Sequence, residues 1–206
     1  GTSIYATLLD QPVAPDFVTI IDDGGLPGDR GALNVDDEGT PTERTVLIQD
    51  GVLRSYMHDR ISANHYRVSS TGSGRRQSFR YPPVPRMRST YMLGGPHGYD
   101  EIIAAVDKGI IAHTFINGQV QIGAGDFTFY IKNGWLIEGG RVTAPIKDAN
   151  IIGNGPEALR HVEMAADDMK IDSGSWVCRK SGQGVPVSMG IPTVLVKSMT
   201  VGGINE

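Results

Sequence analysis

Cys178 is the only cysteine in a chain of 206 residues. It lies in Trp176-Val177-Cys178-Arg179-Lys180-Ser181-Gly182-Gln183-Gly184, next to two cations that favour a thiolate and between glycine-bearing turns. A thiolate in that setting can act as a soft metal ligand or as a nucleophile, whereas a lone cysteine is commonly a small buried apolar residue. The local sequence does not choose among these. The five histidines, His58, His65, His97, His113 and His161, are scattered without the spacing that sets two on one helical face, so the chain has no self-contained metal motif. It also lacks a G-x-S-x-G elbow, a phosphate-cradling glycine-rich loop and a C-x-x-C pair.

Charge is distributed unevenly. Residues 1–50 hold ten acids against only Arg30 and Arg44, in a chain whose net charge is -4. Between 67 and 88 stand six arginines, Arg67, Arg75, Arg76, Arg80, Arg86 and Arg88, with no acid and no lysine. This loop could clamp phosphates or carboxylates, with Phe79 and Tyr81 as stacking faces, or it could pair with the acidic N-terminal segment. Asp36-Asp37-Glu38-Gly39 lacks the spacing of a calcium loop and reads as a solvated turn.

These groups must be carried mainly on strands. Gly accounts for 27 residues and Pro for 12, a turn-rich composition with Gly nearly twice the usual ~7%. Asp50-Gly51 between Val46–Ile48 and Val52-Leu53 predicts a type I′ hairpin, and Asn117-Gly118, Asn133-Gly134 and Gly139-Gly140 predict a meander from His113 to Ile146. Asp16–Ile21 and Thr193–Val201 read as further strands. Helices are expected over Asp100–Lys108 and from Pro156 to about Asp168. The fold class expected is α+β, predominantly antiparallel β, meander and sandwich- or barrel-like, with two short packing helices. No linker divides the sequence, so residues 1–206 are expected to form a single domain. No membrane span or signal peptide is evident and no internal disulfide is possible, which points to a reducing, cytoplasmic setting.

Several fragments in order resemble one family. Gly1-Thr2-Ser3, residues 35–41 (VDDEGTP), 74–78 (GRRQS), 85–92 (PRMRSTYM), 118–120 (GQV), 177–183 (VCRKSGQ) and 201–203 (VGG) are similar to the C-terminal half of the TldD/PmbA family, zinc metallopeptidases of peptide maturation and antitoxin processing, also labelled modulators of DNA gyrase. The resemblance implies that Cys178 is a zinc ligand of the TldD type, completing a site whose two histidines and general-base glutamate come from an H-E-x-x-x-H helix just upstream of the Gly-Thr-Ser. That helix is absent from residues 1–206, so the chain alone is expected to be inactive, with no catalytic residue of its own. The family takes extended peptides, and Arg75, Arg76 and Ser78 are the candidates for contacting them. The partner implied is a second copy or a PmbA-like subunit. Two other readings stay open: a binding module for nucleic acid or a gyrase-related partner, which net charge -4 and pI ≈ 5.7 disfavour, and a structural dimerisation domain.

Overall fold

The computed structural model describes residues 3–121, 123–172, 174 and 176–203, leaving Gly1 and Thr2 of the first family-like fragment outside the described residues. The chain divides into two compact units, one from 1–17, 94–168 and 193–206, the other from 18–93 and 169–192. It passes between them four times, so no single linker in the sequence marks the division. Among the described residues most strands pair antiparallel, three short helices accompany them and no barrel closes, which gives an α+β fold.

The unit from 18–93 and 169–192 is built on an open six-stranded sheet in the order Lys170–Asp172, Ser188–Ile191, Ser89–Met92, Ile20–Asp23, Arg44–Gln49, Val52–Leu53. Only the Ser188–Ile191 and Ser89–Met92 pair is parallel. Asp50 and Gly51 take φ of 48° and 77° and close the predicted hairpin, with Gln49 opposite Val52. The central strand is unusual in carrying two buried acids, Asp22 and Asp23, after buried Ile21. A buried carboxylate needs a counter-charge and hydrogen-bond donors. Arg88 provides both: its Nε donates to Asp22 Oδ2 at 2.7 Å, its main-chain N–H donates to Asp22 Oδ1 at 2.8 Å, and both side chains are wholly buried. The Thr90 hydroxyl completes the set on Oδ1 at 2.7 Å.

The acidic and arginine-rich loops meet through main-chain groups. Asp36 Oδ1 accepts from the N–H groups of Glu38 and Thr40, while its Oδ2 accepts from Gly74 N–H at 2.9 Å. Asp37 Oδ2 accepts from Arg76 N–H at 2.8 Å, and its Oδ1 lies 3.7 Å from Arg76 Nε. Residues 36–37 thus clamp residues 74–76, and pairing between the two loops, one of the two possibilities their charges allow, is present. A helix not anticipated from the sequence, Arg60–Tyr66, follows Asp59, whose side chain accepts from Ser62 N–H at 2.7 Å in a capping box. Asp29 joins two parallel strands by accepting from the hydroxyls of Ser89 and Ser188, the latter at 2.7 Å.

The other unit holds a five-stranded sheet. Thr200–Gly203, Ala149–Asn154, Asp126–Glu138 and Lys108–Val120 are neighbours in that order, and Arg141–Ile146 pairs with the end of Asp126–Glu138. Gly139-Gly140 turns as expected, at φ of 54° and 72°. The Asn117-Gly118 and Asn133-Gly134 turns do not form: two strands of 13 residues run straight through both pairs and reverse once, between Val120 and Asp126, where Gly123 and Gly125 take positive φ. Packing explains the glycine at 118, where a Cβ would lie 2.0 Å from the Phe129 ring across the ladder. The helices Tyr99–Ala104 and Gly155–Arg160 are shorter than expected. The second ends at His161 because Val162–Ala165 leaves it to pair with Val194–Val196. No helix among the described residues is long and apolar enough to cross a membrane.

Two outcomes follow for stability. Arg88→Met strands the Asp22 carboxylate in the interior and should lower unfolding free energy by ~3–5 kcal/mol in equilibrium denaturation, with Asp22→Leu in the same background recovering part of the loss. For Asp29, burial raises the carboxyl pKa, but hydrogen bonds from Ser89, Ser188 and the backbone of Arg30 and Gly31 outweigh it, leaving the group below its ordinary value. A depressed folded pKa contributes stability that is complete above the unfolded value, about 3.9, and fades as pH falls below it towards the folded value. Asp29→Asn should therefore flatten the dependence of stability on pH in that acidic window and leave the slope near neutrality unchanged.

Candidate metal-ligand site

Cys178 is carried by a two-stranded hairpin, Val177–Lys180 against Gln183–Pro186. Ser181 and Gly182, at φ of 52° and 73°, form its two-residue turn, which selects the twist of a tight hairpin. Strand alternation then sets Cys178 on the face opposite Val177 and Arg179, directly across from Val185. Val185 is buried, and Cys178 is half-buried with a free thiol.

The hairpin is strapped to the arginine-rich loop by a ring of amide contacts. Gln77 Oε1 accepts from Gly184 N–H at 2.7 Å, and Gln77 N–H donates to Gln183 Oε1 at 3.0 Å. Gln183 is itself buried and returns a bond from Nε2 to the Pro82 carbonyl at 3.0 Å. Lys180 Nζ donates to the Pro85 carbonyl at 3.0 Å, so this cation is occupied by the loop and Arg179 stays exposed.

The cation beside the sulfur comes from far along the chain. Arg86 is 1% exposed; its Nε donates to Cys178 Sγ at 3.4 Å, and its Nη2 donates to the carbonyls of Cys178 and Gln183. Nothing near Cys178 in sequence signals this contact, which spans 92 positions. Arg75 lies close by, 3% exposed, with Nη1 donating to the Met87 carbonyl at 2.6 Å and Nη2 to the Pro186 carbonyl at 2.8 Å. Burial lowers the pKa of its guanidinium and the neighbouring Arg86 adds to that, while Asp22, Asp37 and Cys178 act in the opposite direction. Two buried guanidinium groups therefore lie near the sulfur, one of them donating to it directly, and sulfur is a soft donor atom for a metal.

The chemistry fits one ligand. Among the described residues no group of three or more His, Cys, Asp or Glu side chains could hold a metal ion, so a coordination sphere that included Cys178 would draw on other groups. Of the residues expected to meet a peptide, Arg75 has both terminal nitrogens on main-chain carbonyls. Arg76 is partly exposed beside Asp37, and Ser78 is partly exposed with its hydroxyl accepting from Arg80 N–H. Residues 74–78 and the Cys178 hairpin lie against each other through Gln77, which sequence reasoning had not singled out.

Comparison with known proteins identifies the family. Residues 1–203 match the family model described as the PmbA/TldA metallopeptidase C-terminal domain. The chain is 44% identical over 203 residues to the metalloprotease TldD homolog of Buchnera aphidicola (subsp. Acyrthosiphon pisum), covering 98% of this chain and 42% of that protein. It is likewise 44% identical over 204 residues to the TldD homolog of Haemophilus influenzae, covering 99% and 42%. The chain thus spans about two fifths of the length of these relatives. In fold it is similar to TldE from Thermococcus kodakarensis, with a TM-score of 0.79 at 23% identity over 98% of this chain and 43% of that one. It is also similar to a Thermotoga maritima protein described as a modulator of a DNA gyrase, with a TM-score of 0.80 at 23% identity over 98% and 42%. On the match of 203 residues and the identity to TldD homologues, the chain belongs to the PmbA/TldD metallopeptidase family and corresponds to its C-terminal domain.

Proposed function

We propose that residues 1–206 are the cysteine-donating part of a TldD-type zinc peptidase that cleaves extended or unfolded peptides, in the service of peptide maturation and antitoxin processing. The observation that carries the reading is the half-buried Cys178 thiol with a buried guanidinium donating to its sulfur, in a chain whose relatives are named metalloproteases. The remaining ligands and the general base would be an H-E-x-x-x-H segment, which residues 1–206 do not contain. Zinc with three protein ligands and one open position would acidify a bound water and polarise the scissile carbonyl. The work of this chain would be to present the sulfur on a fixed hairpin and to surround it with positive charge. A reducing, cytoplasmic compartment would keep the thiol available, and a second copy or a PmbA-like subunit would complete the assembly.

Charge placement supports a peptidase over a nucleic-acid module. Of the six arginines between 67 and 88, Arg75, Arg86 and Arg88 are buried, which removes them from any surface that could track phosphates.

In a protein carrying these residues together with the H-E-x-x-x-H segment, Cys178→Ala should abolish stoichiometric zinc, measured by elemental analysis, and peptidase activity with it. The isolated chain should hydrolyse no peptide. Zinc content and activity unchanged in Cys178→Ala would overturn the assignment. Arg76→Ala with Ser78→Ala should raise KM for peptides several-fold, on the order of the ~1 kcal/mol a lost hydrogen bond costs, while zinc content stays at the wild-type level. An unchanged KM would remove residues 76–78 from the substrate site.

A further inference from the structure

Arg86 and Arg88, two positions apart and both buried, are satisfied in different ways. Every side-chain nitrogen of Arg88 meets oxygen: Nε meets Asp22 Oδ2, Nη1 meets the carbonyls of Thr71 and Gly72, and Nη2 meets the Asp22 carbonyl and the Thr45 hydroxyl. Arg86 has no carboxylate partner among the described residues. Its Nη2 lies on the carbonyls of Cys178 and Gln183, its Nε on the Cys178 sulfur, and its Nη1 is buried without a partner among the described residues.

That arrangement is costly for a group whose task is only to hold the fold together. A buried donor left without an acceptor gives up its hydration with nothing in return, and the loss is greater when it is charged. A neutral thiol accepts hydrogen bonds weakly, so Nε gains little from it, whereas a metal-bound thiolate sulfur is a strong acceptor. The pairing becomes favourable when the sulfur is a ligand. Groups that hold ligands in place in this way commonly affect metal affinity by about 10–100-fold.

We propose that Arg86 is the positioning residue of the Cys178 ligand: Nη2 fixes the Cys178 main chain, and Nε donates to Sγ and so holds the sulfur in place for the metal. The proposal rests on Cys178 being a ligand, and the two can be separated experimentally. In the protein that also carries the H-E-x-x-x-H segment, zinc affinity is measured by competition with a chromophoric chelator for wild type, Cys178→Ser and Arg86→Met. The sulfur-to-cobalt charge-transfer band is recorded on the cobalt-substituted forms. Cys178→Ser should lose the band, which tests the ligand assignment alone. Arg86→Met should keep a band, shifted in energy, and should raise the zinc dissociation constant by about 10–100-fold. A merely structural role would leave the band energy where it is in wild type. Should Arg86→Met fail to fold by circular dichroism, Arg86→Gln, which keeps an N–H donor without the charge, is expected to show a smaller shift and a smaller loss of affinity. Loss of the band in Cys178→Ser together with wild-type affinity and band energy in the folded Arg86 variant would overturn the positioning role and leave the ligand assignment standing. Retention of the band in Cys178→Ser would overturn both.

Discussion

Three guanidinium groups lie inside the unit formed by residues 18–93 and 169–192, and the paths of its loops are set by the need to satisfy them. A buried cation must find carbonyls, carboxylates or an equivalent acceptor, because the cost of an unpaired charge exceeds what nearby apolar contacts can supply. Arg88 meets this need with Asp22, which is why a central strand can contain an aspartate with no exposure. Arg75 meets it, and Arg86 meets it in part, with main-chain carbonyls of residues 87, 178, 183 and 186. The Cys178 hairpin is held in place by those bonds, and so the sulfur is positioned by the same need to give buried guanidinium groups their acceptors.

The acidic N-terminal run contributes at one remove. Asp36 and Asp37 meet the backbone of Gly74 and Arg76 and fix the start of the loop whose later arginines go inside. Gln77 and Gln183 then join that loop to the hairpin by paired amide contacts. Carboxylate, loop, guanidinium and thiol are thus linked by polar contacts from residue 36 to residue 178.

Turn chemistry made part of this legible. Asp50-Gly51 and Gly139-Gly140 take positive φ at both positions, and the hairpins stand where those pairs are. Asn117-Gly118 and Asn133-Gly134 present the same local signal, but an aromatic ring across the ladder claims the space at Gly118, and the Ile111 carbonyl crowds Gly134. That information lies in pairing register, which local sequence does not contain. The Asp59-x-x-Ser62 capping box was present in the sequence and marks the one helix that was not anticipated. For the site, the thiol was legible from its uniqueness and its family-like surroundings, and the buried arginines were visible as a charge-free-of-acid loop. Their burial was not, since it depends on partners up to 111 positions away. The cations adjoining Cys178 in sequence, Arg179 and Lys180, are the two that strand alternation and the Pro85 carbonyl take elsewhere.

The parallel pairing of Ser188–Ile191 with Ser89–Met92 bears on how the chain comes together during synthesis. Residues 18–93 can form four adjacent strands as soon as they emerge, but they leave Ser89–Met92 as an open sheet edge until the segment 169–192 arrives. That closure spans about half of the chain, the kind of non-local step that slows folding. The same late segment delivers Cys178 and the carbonyls that Arg75 and Arg86 require. The strand that caps the sheet edge and the thiol with its guanidinium contacts thus come from one and the same stretch of the chain.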